Sequence, residues 1–254
     1  MNYRPIVFAA VIACGAISPA IAGGTRAVIE LFTSQGCSSC PPADNLLGEL
    51  AHDPTLVTMS LPVDYWDYLG WKDTLALPEH SDRQRAYAHA RGVSRIGTPQ
   101  VIVNGITAVL GSDRAAIERA ITHTDRADKP LALPVSLTVN DGTVTVTVPA
   151  ATDAHNSGTV WLCPVTGKVS VKIGRGENSG SRVTYTNVVR RWVKLGHWDG
   201  KARTFSYKLA DLPDRKFTLA DVDRLDVLVQ SGGASKPGVM LGVASERLSA
   251  TAVR

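Results

Sequence analysis

The chain has 254 residues and a formal net charge of +4 at pH 7, an excess too small to indicate a nucleic-acid-binding surface. Its length allows one or two domains with ordinary hydrophobic cores. The cysteines beyond the N-terminal segment are Cys37, Cys40 and Cys163, too few for a small fold held together mainly by disulfides.

Residues 1–22 have the pattern of a secretory signal peptide. Arg4 precedes an apolar stretch, Pro5 to Ile17, and Ala20-Ile21-Ala22 forms a small-x-small cleavage site. The apolar stretch is too short to remain as a membrane-spanning helix. An alternative is lipoprotein processing at Cys14, which would attach the protein to a membrane. Both alternatives predict a periplasmic or secreted protein, in a compartment where disulfides persist.

A predicted strand, Ala27 to Phe32, is followed by a polar turn, the sequence Cys37-Ser38-Ser39-Cys40, and a predicted helix that begins at Pro41. A helix N-terminus stabilises a thiolate, which is the reactive form of cysteine. We therefore expect Cys37 at an exposed tip as the attacking thiol. Cys40, one helical turn further on, would resolve the mixed disulfide.

Other interpretations of these cysteines remain open. The pair could be a permanent disulfide or half of a zinc site, although Cys163 and the histidines lack zinc-ligand spacing. Cys163 itself is predicted to be a buried, inert thiol, with a third redox partner as the alternative. Glu30, in the otherwise apolar first strand, is a candidate proton relay for Cys40. The alternative is a solvated Glu30 that faces outward.

Further strands and helices alternate up to about residue 126. They are listed here in chain order: strand Val57–Val63, helix Pro78–Arg91, strand Gln100–Val103, a tight turn at Asn104-Gly105, strand Ile106–Leu110 and a last helix after Ser112. An aromatic loop, Asp64 to Trp71, follows the second of the strands. Tyr65 and Trp66 could wall a substrate groove beside Cys37, or could cover the sheet.

The hydrophobic period changes to two after a charged, proline-terminated stretch, Asp125 to Pro130. Several short strands with turn signals between them predict an antiparallel β-sandwich-like domain over residues 129–254. Gly174 to Gly180 is predicted to be a hairpin loop, because no helix follows it to make a phosphate site.

The element order β-α-β-α-β-β-α, with C-x-x-C at the first helix and Thr98-Pro99 before the third strand, resembles the thioredoxin fold. This resemblance implies that Thr98-Pro99 is a cis peptide facing the cysteines and that both residues position the backbone of an extended substrate. The predicted fold is thus an α/β thioredoxin-like domain, residues 23–128, followed by the all-β domain.

Four motifs are similar to those of a bacterial secreted family known as domain of unknown function 1223. They are Phe32–Asp44 around the cysteines, Val63–Asp67, Gly97–Gln100 and Arg175–Asn178. The resemblance covers nearly all of the chain after the signal peptide. It implies no substrate, because the family has no settled activity.

These observations give three functional hypotheses. The first is a thiol–disulfide oxidoreductase that needs no cofactor or metal beyond its Cys37–Cys40 disulfide and acts on a protein or on a small thiol or disulfide. The second is a binding module or chaperone in which that disulfide is permanent. The third is a copper carrier that uses both thiolates.

Overall fold

The computed structural model describes residues 24–128, 130–151 and 157–248. The predicted signal peptide, residues 1–22, and the alternative lipidation site at Cys14 lie outside the described residues. Within the described part of the chain, no helix is both long enough and apolar enough to cross a membrane.

Strands make up 41% and helices 21% of the structure, so the protein is mostly β. The helices are α1 (Pro41–Leu50), α2 (Pro78–Ala90) and α3 (Arg114–Asp128). The strands are β1 (Ala27–Thr33), β2 (Leu56–Pro62), β3 (Gln100–Val103), β4 (Thr107–Leu110), β5 (Ser136–Asn140), β6 (Thr143–Val148), β7 (Gly158–Lys172), β8 (Arg182–Val189), β9 (Val193–Trp198), β10 (Arg203–Lys208), β11 (Arg224–Gly233) and β12 (Lys236–Arg247).

One mixed sheet of nine strands runs through the molecule. Its strand order is β12-β11-β7-β8-β2-β1-β3-β4, and β9 pairs with β7 beside this path. The two parts of the chain meet where β2 pairs with β8 in parallel, with Ser60 opposite Val188. A second, three-stranded sheet has the order β10-β6-β5.

The predicted fold class, an α/β thioredoxin-like domain followed by a separate β-sandwich, is therefore wrong. β7, β8, β11 and β12 extend the sheet of β1 and β2 instead of forming a sandwich of their own. The amino-acid pattern of a strand indicates which faces are buried, but it does not identify the neighbouring strand. The domain boundary at residue 128 stays a prediction.

β1 lies at the centre of the first half and is buried along its whole length. Ile29 and Leu31 face a core shared with α1 and α3. Val28 and Phe32 point to the opposite face, where Tyr87 of α2 packs. Helices on both faces explain the nearly continuous apolar sequence of this strand.

The hydrophobic core around Phe32 contains residues from both halves of the chain. Cys163 on β7 and Met240 on β12 belong to the same cluster as Phe32 and Tyr87. The other face of β7, with Val160 and its neighbours, packs under the three-stranded sheet. The first half of β7 is thus covered on both faces.

The predicted tight turn between β3 and β4 is confirmed. Asn104 and Gly105 both have positive φ angles, of 53° and 75°. Asn104 accepts a hydrogen bond from the Met240 N–H at 3.0 Å, which joins this turn to β12. A Cβ added to Gly105 would lie only 2.2 Å from the carbonyl oxygen of Gly238, so this position requires glycine.

Candidate redox site

The two cysteines lie between the end of β1 and the start of α1. The Cys37 N–H donates to the Ser34 carbonyl at 3.2 Å, which closes the turn after β1. Cys40 is the N-cap residue of α1, and its carbonyl accepts hydrogen bonds from the N–H groups of Ala43 and Asp44. Cys37 and Cys40 form a disulfide across this first turn.

The disulfide is much less accessible than the sequence suggested. Cys40 is fully buried, and only 3% of Cys37 is exposed. The predicted exposed tip for Cys37 is therefore wrong; the exposed residues of the motif are Ser38 and Ser39. A partner thiol reaches Cys37 only if its surroundings move.

A loop from the second half of the chain covers Cys37. This cover loop, Gly174–Gly180, connects β7 to β8. The buried Asn178 amide donates to the carbonyl oxygens of Gln35 at 3.0 Å and Cys37 at 2.8 Å. Glu177 accepts a hydrogen bond from the Ser38 N–H at 3.3 Å. The cover loop thus holds the backbone on both sides of Cys37.

Trp71 of the aromatic loop packs against the cover loop. A Cβ added to Gly174 would lie 3.0 Å from the Trp71 indole, so the loop backbone lies directly on the ring. The indole N–H donates to the Gln35 side chain at 2.8 Å, which fixes the ring beside the disulfide. The sequence predicted the loop but not its contact with the cysteines. The motif Arg175–Asn178 was the signal that could have revealed it.

Thr98 and Pro99 lie on another side of Cys37. Their peptide bond is cis, as the resemblance to thioredoxins implied. The Cys37 sulfur lies 3.7 Å from the Thr98 carbonyl oxygen. The Thr98 hydroxyl accepts a hydrogen bond from the Trp66 indole at 2.8 Å. These contacts place Cys37 beside the carbonyl and Trp66 beside the hydroxyl of Thr98, next to Pro99.

Tyr65 and Trp66 are partly buried and pack against the core around Phe32. The Tyr65 hydroxyl donates to Gln84 at 2.9 Å, and burial raises the pKa of Tyr65 to about 12. Trp66 also stacks on Tyr68, which is 78% exposed. In the aromatic loop, Tyr65 and Trp66 thus anchor the loop on the protein core, whereas Tyr68 is exposed to solvent.

Glu30 lies on the face of β1 that packs against α2, whereas α1 and Cys40 pack on the other face. It is fully buried, so the alternative of a solvated side chain is wrong. Its carboxylate accepts hydrogen bonds from Arg83 and from the Tyr87 hydroxyl, each at 2.6 Å. These contacts indicate a structural ion pair in the core.

Two other carboxyl groups, which the sequence analysis missed, lie near the disulfide. Asp44 is one helical turn after Cys40 and only 2% exposed, and among the described residues neither of its carboxyl oxygens has a hydrogen-bond partner. Burial raises its pKa well above the ordinary value. Asp73 accepts the N–H of Gln35 at 2.8 Å, and burial raises its pKa to about 6. An apolar helix face around Asp44 was the available signal.

We expect Asp44→Asn to stabilise the oxidised protein at neutral pH. The unfolded Asp44 releases its proton near pH 3.9, whereas the folded one keeps it to a higher pH. Between these two pKa values the folded state binds more protons, so rising pH lowers the free energy of unfolding by about 1.4 kcal/mol per pH unit. The asparagine variant lacks this loss. Urea unfolding from pH 4 to 8 measures this difference. The free energy of unfolding of the variant should exceed that of the wild type by an amount that grows as the pH rises. A constant difference would contradict a raised Asp44 pKa.

The described residues contain no group of three or more His, Cys, Asp or Glu side chains arranged to hold a metal ion. Cys163 is buried on β7, and burial raises the pKa of its thiol well above the ordinary value. It lies on the face of the large sheet that packs against Phe32.

The fold and the site define a mostly β protein in which a C-x-x-C disulfide begins a helix beneath a loop from the second half of the chain. The chain belongs to the family described as protein of unknown function (DUF1223), whose profile matches residues 28–230. The predicted family is thus confirmed.

The chain is similar to a crystal structure of a protein from Agrobacterium tumefaciens, at 31% sequence identity and a TM-score of 0.75. The alignment covers 88% of this chain and 94% of that one. HBP35 of Porphyromonas gingivalis is similar at 15% identity and a TM-score of 0.58, over 89% of this chain and 76% of that one. This second likeness concerns the fold alone. None of the curated proteins matches the sequence.

Proposed function

We propose that this protein is a thiol–disulfide oxidoreductase of the periplasm or the secreted fraction. Cys37 exchanges with the partner, and Cys40 resolves the mixed disulfide. The observation that carries the proposal is the asymmetry of the pair at the start of α1. Cys40 is sealed at the N-cap, whereas Cys37 borders the exposed Ser38 and contacts the Thr98 carbonyl.

When the protein oxidises its partner, a partner thiolate attacks the Cys37 sulfur, and the bond between Cys37 and Cys40 breaks. The electron pair of that bond goes to Cys40, which takes up a proton. A second partner thiol then displaces Cys37, so two partner thiols become one disulfide and the protein gains two thiols. The opposite direction uses the same steps in reverse.

We assign the proton transfer at Cys40 to Asp44 rather than to Glu30. Residues four apart on a helix share one face, so Asp44 lies under Cys40 on α1. Its burial favours the protonated form, which can supply the proton that the Cys40 thiolate needs. Glu30 is engaged by Arg83 on the other side of the sheet.

The surface beside the disulfide favours a polypeptide partner over a small thiol. Tyr68 is 78% exposed and stacks on Trp66, which donates to Thr98. Leu110 is 57% exposed and lines the same surface pocket as Thr98 and Pro99. In this proposal Trp66 and Tyr65 hold the loop that carries Tyr68, and Thr98 and Pro99 position the partner. This is the part of the resemblance to thioredoxin-like proteins that we retain. It concerns the site and not the architecture.

The burial of Cys37 favours a second candidate, a binding module with a permanent disulfide. The two candidates differ in turnover. We expect the wild-type protein and Cys163→Ser to accelerate the reduction of insulin disulfides by dithiothreitol to the same extent, measured as insulin precipitation. A wild-type protein whose disulfide resists dithiothreitol while it stays folded would favour the permanent bridge.

A further inference from the structure

We propose that the Glu177 carboxylate selects redox partners by charge, so that it slows anionic thiols and favours thiols with a positive charge. The inference rests on the proposed exchange at Cys37 and adds the class of partner. It assigns a specificity-determining role to a residue of the cover loop, far from the cysteines in the sequence.

The cover loop brings Glu177 to the entrance of the site. Glu177 accepts the Ser38 N–H at 3.3 Å, and Ser38 is the residue bonded to Cys37. The Ser38 nitrogen is four covalent bonds from the Cys37 sulfur, so the carboxylate is no more than about 8 Å from that sulfur. Asn178, buried beside it, fixes this position through its bonds to Gln35 and Cys37.

No ion pair offsets the Glu177 carboxylate among the described residues. Arg175, on the same loop, is exposed. Lys72, the residue after the aromatic loop, is exposed, and Asp67 on that loop accepts the Asp73 N–H. The Glu177 carboxylate also accepts the hydrogen bond of the Ser38 N–H. That N–H group is therefore not free to stabilise a thiolate at Cys37.

The charge acts on every step at Cys37, because each step brings a thiolate to the same sulfur or releases one from it. A partner with a further negative charge is repelled by Glu177, whereas an ammonium group near the partner sulfur is attracted. At about 8 Å near a protein surface, one unit charge changes such rates by about threefold to tenfold at about 0.1 M salt, where the screening length is about 10 Å.

The test uses three small thiols that differ in charge: 2-mercaptoethanesulfonate, 2-mercaptoethanol and cysteamine. Reduction of the Cys37–Cys40 disulfide is followed by alkylation and mass spectrometry, in the wild type and in Glu177→Gln. We expect the variant to react about threefold to tenfold faster with the sulfonate, less so with the neutral thiol, and no faster with cysteamine. The variant-to-wild-type ratio cancels the intrinsic reactivity of each thiol. At about 1 M salt, where screening extends over about 3 Å, the three ratios should converge.

Two further variants separate charge from loop movement. Glu246→Gln on β12, an edge strand five places from β1 in the large sheet, removes the same charge and should leave all three rates unchanged. Asn178→Ala releases the cover loop, and in that background Glu177→Gln should have a smaller effect than in the wild type.

Equal ratios for the three thiols at low salt would overturn the charge selection while leaving the exchange function intact. A disulfide that no thiol reduces would overturn the proposed function and this inference together.

Discussion

Replacing Cys37 with serine is expected to lower the rate of thiol–disulfide exchange by a factor on the order of 10³ or more. The other sulfur of the motif, Cys40, is fully buried at the N-cap of α1, whereas Cys37 borders the exposed Ser38, so we expect the partner to attack at Cys37. Cys40→Ser should behave differently. It keeps the attacking thiol and should accumulate a mixed disulfide at Cys37, measured by mass spectrometry as one bound partner per chain.

The control for both variants is Cys163→Ser. The Cys163 thiol is buried and its pKa is raised, so it is neither accessible nor ionised at neutral pH. We expect this variant to retain wild-type exchange. Full activity in Cys37→Ser, or a mixed disulfide on Cys40 in place of Cys37, would reverse the assigned roles.

Glu30→Ala is expected to lower the free energy of unfolding by about 3–5 kcal/mol, because it leaves the Arg83 guanidinium buried without its counter-charge. The guanidinium carbon of Arg83 also lies 4.2 Å from the centre of the Trp192 ring, and Arg83 donates a hydrogen bond to the Gln230 side chain on β11. Arg83 cannot turn to solvent without breaking these contacts. Urea unfolding at constant pH, with the disulfide intact, measures the loss.

Two variants test this explanation. Glu49→Ala removes an exposed partner of Arg114 and should cost less than about 1 kcal/mol. The double variant Glu30→Leu/Arg83→Met removes both buried charges and should be more stable than Glu30→Ala. A Glu30→Ala loss as small as that of Glu49→Ala would contradict a buried structural ion pair.

Local structure could be predicted well from the sequence, and long-range pairing could not. β1, α1 and the Asn104-Gly105 turn were predicted because hydrophobic periodicity, Pro41 at a helix start and a left-handed turn pair act over a few residues. The pairing of β2 with β8 joins residues far apart, Ser60 and Val188. The pattern of each strand indicates which of its faces are buried, but not which strand lies beside it, so the two sequences do not determine this choice.

For the candidate site, too, the local features could be predicted from the sequence and the long-range contacts could not. Cys37, Cys40 and the cis bond at Pro99 were found from motifs that are contiguous in the sequence. The cover of Cys37 was missed, since it depends on Asn178, which hydrogen-bonds to residues more than 140 positions away. Glu30 was proposed as a relay because a carboxyl group in an apolar strand must have a buried partner or face water. In the structure the partner is Arg83, which is 53 residues away in the chain.

The cover loop ties the evolution of the two halves of this chain together. Substitutions around Cys37 can persist only if the segment near Asn178 still fits the same backbone carbonyls. Insertions, which surface hairpins usually tolerate, would here separate that amide from the disulfide. A change in either half of the chain that shifts this backbone therefore also changes how the disulfide is covered.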